Sequence, residues 1–358
     1  MQNNQAIPFN KENFKQILSK EFALVIIISI PSAMIAEYFN VPLAWFLGPM
    51  LITSLASLAG FKTKMPKLLL SAVLIFLGLY IGNYIDKTLF SQIQQWAWTS
   101  LIMLAYIVIS VLLVSKYLQK FSNYDKKTSV FSAAPGALGP LMVLAEDEKS
   151  DLSQVATSHL IRLIIIITVF PFIVNSMYDV SAVNTAELEV KNQNILNLFI
   201  LISLSVFLIL IFDKFKIPAA LLTGTLFASG FLQITELASY KFSPDTINYC
   251  LLILGSSVGC RFANKSFNEI ARNALHSFVA TFMLVALGLI AAYVAGLVID
   301  KNFFTLLLSY CPGGIYEVAV IAIFFDLDPE FVAFHHIIRL LMILFIVPLL
   351  LKVIEKKI

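Results

Sequence analysis

The chain has 358 residues and a net charge of +3; 59% of its residues are hydrophobic, 13% are charged, and its mean hydropathy is +0.86. No soluble domain of this length carries such a composition, so the sequence predicts a polytopic membrane protein embedded in a lipid bilayer. The basic residues are scattered over short loops, which excludes the basic block typical of nucleic-acid binding.

Predicted spanning helices follow one another along the chain with short polar loops between them. A polar segment, residues 1–21, precedes the first apolar run, and a second polar segment, 176–193, divides the chain into two halves. The runs predicted to span are 22–39, 41–60, 68–85, 97–118 and 152–174 in the first half, and 195–212, 217–237, 246–262, 276–298 and 331–353 in the second. We therefore expect an all-α membrane fold with about ten transmembrane helices.

Two further apolar elements, one in each half, are interrupted by Pro and Gly and are copies of each other. The first is Ala134-Pro135-Gly136-Ala137-Leu138-Gly139-Pro140, and the second, 177 residues later, is Cys311-Pro312-Gly313-Gly314-Ile315-Tyr316-Glu317. The same offset places Gly78 on Gly255, Gly82 on Gly259, His159 on His336 and Arg162 on Arg339. These identities at one spacing predict a repeat of about 170 residues used twice. We assign residues 1–21 to a cytoplasmic N-terminal segment, 22–175 to the first membrane repeat, 176–193 to a linker and 194–354 to the second repeat.

The topology depends on whether the two Pro-Gly elements cross the membrane or turn back within it. The apolar run of the first element, 130–145, is short for a span, whereas that of the second, 303–325, is long enough. If both turn back, each half has five spans and the repeats are inverted; if both cross, each half has six and the repeats are parallel. The inverted arrangement places most of the 25 Lys and Arg residues on the cytoplasmic side, so we expect inverted repeats with both termini in the cytoplasm.

The broken elements form the predicted substrate site. Backbone that leaves a helix at membrane depth is tolerated only where it packs in protein or lines a wet cavity. Pro135 and Pro312 are suited to the first turn of short helices, whose free N–H groups would point at a common centre. The neighbouring Gly136, Gly313 and Gly314 would let a ligand approach the backbone closely. The alternative is that Pro and Gly merely kink two helices for packing.

Two arginines inside predicted spanning helices belong to the same site. A charged Arg at membrane depth costs roughly 2.5 to 3.5 kcal/mol on the insertion scale, so Arg162 and Arg339 need a reason to be there. His159 and His336 each lie three residues earlier, on the same helix face as the Arg. We predict that these four residues bind a small solute, with an anion favoured. The alternative is that each Arg anchors a protein carboxylate or the carbonyls at a helix C-terminus.

Glu317 is a carboxylate inside the second broken element, where the first has Pro140. An intramembrane carboxylate is a functional candidate by default. Two roles remain open: Glu317 binds and releases a coupling proton if it faces a cavity, and it is structural if it pairs with Arg339. His335 points about 100° away from His336 on a helix, so it is not expected to serve the same site.

The doubled element resembles a known family. Pro-Gly-Ala-Leu-Gly in the first half and Pro-Gly-Gly-Ile-Tyr-Glu in the second, each followed by a His-x-x-Arg helix, resemble the AbrB family of bacterial inner-membrane proteins over the chain from about residue 22 onward. The resemblance implies a duplicated domain in the bacterial inner membrane. Members are labelled as ammonia monooxygenases or as regulators of an alkylation-response gene, so it implies no single activity and supplies no binding residues. The small soluble DNA-binding regulator of the same name shows no likeness to this sequence.

Three functions compete for this architecture. Inverted repeats and paired broken elements favour a secondary transporter of a small molecule or ion, coupled to protons or sodium. A regulatory or sensory membrane protein would need a partner, because the loops leave no soluble output domain. An oxygenase needs clustered His and carboxylate ligands, and the four histidines supply no such set, so we expect no catalytic residue, metal or cofactor. The substrate, the coupling ion and the oligomeric state stay open, with a homodimer as one alternative.

Overall fold

The computed structural model describes residues 11–85, 87, 89–136, 138–177, 195–238, 240, 245–263, 265 and 267–356. Over these residues the chain forms fifteen α-helices and no β-strand. The helices are α1 (Lys11–Ile17), α2 (Lys20–Tyr38), α3 (Ala44–Leu58), α4 (Lys67–Gly82), α5 (Leu89–Phe121), α6 (Lys126–Ala133), α7 (Leu138–Asp147), α8 (Leu152–Met177), α9 (Ile195–Lys214), α10 (Ala220–Thr235), α11 (Asp245–Cys260), α12 (Phe267–Gly296), α13 (Phe303–Tyr310), α14 (Ile315–Phe324) and α15 (Pro329–Lys356). Residues 1–10 of the predicted N-terminal segment and 178–193 of the predicted linker lie outside the described residues.

The predicted all-α polytopic fold is confirmed. Each of the ten predicted spans is a helix, and six helices, α2, α5, α8, α9, α12 and α15, are long and apolar enough to cross a membrane. The other four, α3, α4, α10 and α11, have only 15 or 16 residues. At 1.5 Å per residue they are about 24 Å long, which is shorter than the roughly 30 Å hydrocarbon core of a bilayer.

Backbone conformation shows why α3 and α10 begin late. Their apolar runs start with Val41-Pro42 and Ile217-Pro218, and a residue with a left-handed φ follows each proline directly, Leu43 (φ 52°) and Ala219 (φ 55°). A left-handed residue cannot continue a right-handed helix, so each helix begins only at the next residue. The same interruption at equivalent positions in both halves shows the internal duplication in the backbone itself.

The broken elements repeat with the same residue bounds. Helices α6 and α7 become α13 and α14 when 177 is added to every residue number, and the left-handed residue after α7, Lys149, becomes Asp326 after α14. Each element is a helix of eight residues, a break of four residues and a helix of ten residues. The identities noticed in the sequence therefore correspond to one structural element used twice.

The chain divides into two compact units that cut across the sequence repeats. The first unit contains Met1–Leu89, Pro171–Ser266 and Ile323–Glu330, and the second contains Phe90–Phe170, Phe267–Ala322 and Phe331–Ile358. Each unit therefore takes helices from both halves of the chain. Residues 22–175 and 194–354 are repeats in the sequence, whereas the two units in which the helices pack are divided differently.

Glycines hold the first unit together. Gly78 and Gly82 on α4 bring that helix against backbone carbonyls of α10, while Gly255 and Gly259 on α11 lie against the backbone of α3. The four-residue spacing of small residues places both glycines of a pair on one helix face, and it allows two membrane helices to approach closely. Helices of the first half therefore pack directly on helices of the second half.

The second unit contains every residue of the predicted site. A buried cluster joins α5, α6 and α12 with the loop before α6: Val114, Leu118, Tyr124, Ala133, Ala280 and Leu284. Helix α12 also packs on α13, where a Cβ added to Gly288 would lie 3.2 Å from the Tyr310 carbonyl oxygen. These contacts fix the short helices α6 and α13 beside long ones.

Candidate ligand site at the paired helix breaks

Both breaks have the same backbone geometry. The residue after helix α6, Ala134 (φ −62°, ψ 129°), and the residue after helix α13, Cys311 (φ −60°, ψ 129°), are both extended, so the helix stops just before each proline. The amide of the glycine after each proline then donates to the carbonyl oxygen of the residue before that proline. Gly136 donates to Ala134 at 3.0 Å, and Gly313 donates to Cys311 at 2.8 Å. A three-residue turn centred on proline therefore replaces the helix at each break.

Each arginine donates to the carbonyl of the residue that caps the C-terminus of the short helix. Arg162 donates through Nη1 to the Ala134 carbonyl at 2.9 Å, and Arg339 donates through Nη1 to the Cys311 carbonyl at 2.5 Å. Both side chains are 2% exposed. The last carbonyls of a helix have no partner within it and carry partial negative charge, which a guanidinium satisfies. The bonds seen are therefore those of the structural alternative, and the ligand-binding role of the two arginines stays a prediction.

The histidines hold the arginines in place. His159 contacts the Phe131 carbonyl through Nε2 at 3.0 Å and Arg162 Nη2 through Nδ1 at 2.6 Å. A carbonyl can only accept and a guanidinium can only donate, so these partners assign the neutral tautomer that carries its proton on Nε2. His336 repeats the arrangement with the Leu308 carbonyl and Arg339, both at 3.0 Å. Both ring nitrogens of each histidine are used within the protein, and each histidine positions its arginine.

The first broken element is a hairpin. At its open end Lys127 Nζ lies 3.0 Å from Glu148 Oε2, and the Asp151 amide donates to Thr128 Oγ1 at 3.0 Å. These contacts join the start of α6 to the region just after α7, so the two ends of the element lie side by side. The sequence left this open, although the opposite charges of Lys127 and Glu148 at its two ends were a usable signal.

The two breaks meet through Arg339. A Cβ built on Gly136 would lie 2.7 Å from Arg339 Nη2 and 3.2 Å from Arg339 Nε, so the guanidinium packs against the Cα of Gly136. Gly136 has a φ of +108°, a conformation that side chains other than glycine rarely adopt. Arg339 also donates through Nη2 to the Gly313 carbonyl at 2.7 Å. One guanidinium therefore contacts both predicted substrate-binding breaks.

The second break differs from the first at Glu317. The side chain is 1% exposed, and its Oε2 packs against the Cα of Gly314, where an added Cβ would overlap it. The Gly314 carbonyl accepts from the Val318 amide at 3.0 Å, which makes Gly314 the N-cap of α14 and Glu317 the third residue of that helix. Its carboxylate thus folds back on the positive end of its own helix. A proton-coupling role for Glu317 stays a prediction.

The remaining histidines lie elsewhere in the second unit. His335 contacts Thr99 Oγ1 at 2.8 Å and the Phe331 carbonyl at 2.9 Å, inside an aromatic cluster, so it points away from His336 as expected. His276 contacts the Tyr117 hydroxyl at 3.1 Å. Within the part of the chain that the structure describes, no group of three or more His, Cys, Asp or Glu side chains comes together as a metal site would need.

Comparisons with known proteins agree with the sequence resemblance. The family model described as "Transition state regulatory protein AbrB" matches residues 2–88 and 45–355 of the chain. "Putative regulator AbrB" of Escherichia coli (strain K12) is 22% identical over 316 residues, which cover 85% of this chain and 88% of that protein. "Uncharacterized protein YhjN" of Bacillus subtilis (strain 168) is 20% identical over 290 residues, covering 76% of this chain and 75% of that protein. No solved structure matches the chain.

Proposed function

Within the AbrB family, to which this chain belongs, we propose that this membrane protein is a secondary transporter moving a small, anionic solute. The observation that carries the proposal is the contact of Arg339 with both helix breaks. Many secondary transporters bind their solute near the bilayer midplane between discontinuous helices, whose half-helix N-termini point at the anionic groups of the solute. No catalytic group is part of this proposal.

The depth of the hairpin supports a site near the middle of the membrane. Helices α6 and α7 have eight and ten residues, which is about 12 and 15 Å at 1.5 Å per residue. A hairpin of that length entering from one surface reaches about halfway through a hydrocarbon core of about 30 Å. Pro135 and Gly136 lie at its tip. A solute bound there is equidistant from both aqueous phases, as alternating access requires.

The number of crossing helices supports inverted repeats. With α6–α7 and its copy α13–α14 both turning back, five helices of each half remain to cross, and an odd number turns the second half upside down. The distribution of Lys and Arg then favours cytoplasmic termini in a bacterial inner membrane. We propose this topology, and a homodimer formed through the first unit is one assembly compatible with it.

A regulatory protein acting through a partner is the second candidate. The name "Putative regulator AbrB", which belongs to the Escherichia coli relative, is the observation that favours it. A regulator needs no solute pathway open in turn to both sides, whereas a transporter does. Access to the hairpin tip therefore separates the two candidates without knowledge of the substrate.

The experiment is cysteine labelling in sealed membranes of either orientation, in a chain whose three native cysteines have been replaced. Gly139→Cys, next to the tip, is in open space and is expected to react with a membrane-impermeant maleimide from both sides. The matched controls are Lys149→Cys and Asp326→Cys, at equivalent exposed positions, and each is expected to react from one side, opposite to the other. Reaction of Gly139→Cys from a single side would refute transport and favour the regulator. Reaction of both controls from the same side would refute the inverted topology.

A further inference from the structure

We propose that a polar seam between α8 and α12 is the passage by which the solute reaches Arg162 from the open end of the first hairpin. The seam is formed by polar side chains of the second unit, each at most 7% exposed: Tyr124, Ser158, Asn273 and Ser277. This inference rests on the proposed function and adds the route to the same site. It follows from a comparison of the two copies of the repeat, which differ at the positions of the seam.

The seam follows the facing sides of two helices. Asp151, at the open end of the hairpin, directly precedes α8. Ser158 lies four residues before Arg162 on this helix, so the two side chains share one helix face. Asn273 and Ser277 have the same spacing on α12. The Ser277 hydroxyl donates to the Ser158 hydroxyl at 3.3 Å, which joins the two rows. The row on α8 therefore leads from the open end of the hairpin inward to Arg162.

Asn273 brings to the seam a polar group that has no partner in the protein. Its side chain is 7% exposed, yet its Nδ2 makes no hydrogen bond. A buried amide donor without a partner costs free energy, so packing alone gives no reason for an asparagine at this position. A polar solute on its way along the seam accepts a hydrogen bond from this group. The unpartnered amide therefore points to a ligand that passes here.

The seam is closed in this structure, but only by weak contacts. Besides its bond to Ser277, the Ser158 hydroxyl lies 3.3 Å from the Tyr124 hydroxyl. Hydrogen bonds between hydroxyl groups are usually about 2.7 to 2.8 Å long, so both of these are weak. The side chains of the two serines are also small and bury little surface against each other. Separation of α8 from α12 at this point therefore costs little.

The equivalent positions in the other half are aromatic. When 177 is added or subtracted, Gln154, Thr157, Ser158 and Asn273 become Phe331, Phe334, His335 and Trp96. The centroid of the Trp96 ring lies 5.0 to 6.3 Å from the centroids of the other three rings of this aromatic cluster. Thr99 Oγ1 lies 2.8 Å from His335 Nε2, and the Tyr310 hydroxyl donates to the Thr99 carbonyl at 2.7 Å. These bonds have normal lengths and large rings surround them. The cluster therefore holds α5 to α15 more firmly than the seam holds α8 to α12.

The first test labels cysteines in the seam, in sealed membranes of either orientation and in the chain whose three native cysteines have been replaced. Ser277→Cys is expected to react with a membrane-impermeant methanethiosulfonate from the side that labels Lys149→Cys, and not from the other side. Thr99→Cys, beside the aromatic cluster, is expected to react at least tenfold more slowly from either side. Phe278→Cys is the control for depth, since it follows Ser277 on α12 but is 55% exposed and turned to lipid, and it is expected not to react.

A second test measures passage along the seam. Asn273→Leu replaces the unpartnered amide by an apolar group of similar volume, so the protein is expected to fold as before. In the Gly139→Cys chain, this variant should slow labelling at the hairpin tip at least tenfold from the side of Lys149 and leave labelling from the other side unchanged. The matched control is Asn273→Ser, which keeps the seam polar and should be labelled at the unmodified rate from both sides.

The outcomes separate this inference from the proposed transport. The seam is refuted if Ser277→Cys reacts from neither side, if Thr99→Cys or Phe278→Cys reacts as fast, or if Asn273→Leu and Asn273→Ser give equal labelling at the tip. Gly139→Cys that reacts from both sides while Ser277→Cys reacts from neither would leave transport standing without this route. Ser277→Cys and Gly139→Cys that both react from the same single side would refute transport and leave the seam as the way to the site.

Discussion

Replacement of Arg339 by lysine tests the hydrogen-bond network at the breaks, with Arg162→Lys as its counterpart in the other half. Lysine keeps the positive charge but has one compact donor group where arginine has a planar fork. Arg339 serves three acceptors, the carbonyls of Cys311 and Gly313 and the His336 ring, whereas Arg162 serves two, the Ala134 carbonyl and the His159 ring. If the ammonium retains one acceptor in each variant, Arg339→Lys leaves two buried acceptors without a donor and Arg162→Lys leaves one.

The expected destabilisation follows from that difference. A buried acceptor without a donor costs about 1 to 3 kcal/mol, so Arg339→Lys should lose about 2 to 6 kcal/mol and Arg162→Lys about 1 to 3. The assay is reversible unfolding in mixed detergent micelles at fixed pH and without added carboxylate. The order of the two variants is more informative than either value. If Arg162→Lys is destabilised as much as Arg339→Lys, or more, the reasoning from these bonds is wrong.

Two further pairs of substitutions test the packing of the glycines and the closure of the hairpin, by the same unfolding measurement. Gly255→Ala should lose about 1 to 3 kcal/mol, because its methyl group would overlap the Phe46 carbonyl, while Gly296→Ala, with 3.4 Å to its nearest neighbour, should gain up to about 1 kcal/mol of helix propensity. Thr128→Val should lose about 1 to 2 kcal/mol by removing the acceptor of the Asp151 amide, whereas Lys127→Ala, which breaks a half-exposed ion pair, should lose less than about 1. Equal losses within either pair would contradict the contacts described.

The sequence predicted the helices well because apolar length is a strong signal in membrane proteins. The ten predicted spans are helices, and the two Pro-Gly elements are broken where the prolines stand. The prediction was least accurate at the starts of α5 and α12, which lie eight and nine residues before the predicted ones. Helices α3 and α10 begin three residues later than predicted, because the left-handed φ of Leu43 and Ala219 has no signature in residue type. The division into two units could not be predicted from the sequence either, because it depends on which distant helix packs against the glycine face of each helix.

The sequence predicted the residues of the candidate site but not the hydrogen bonds that they form. The repeated His-x-x-Arg spacing identified four side chains, and the structure places them on the two breaks in the second unit. Their partners are backbone carbonyls 28 residues earlier, at Phe131 and Ala134 in the first half. Every residue has such a carbonyl, so no sequence pattern distinguishes the one that an arginine will reach. The contact of Arg339 with Gly136, from the other half, was equally inaccessible to spacing.

The interlocking of the two halves in the first unit has a consequence for biosynthesis. Helix α3 (Ala44–Leu58) packs on α11 (Asp245–Cys260), so the face of α3 that receives Gly255 and Gly259 has no partner until the second half has been made. The ribosome needs roughly 10 to 40 s to synthesise the intervening residues, about 190 of them, at 5 to 20 residues per second. During that time the faces of α3 and α4 that later contact the second half have no partner from that half. Folding of this unit is therefore completed late, and a chain that terminates in its first half has no means of completing it.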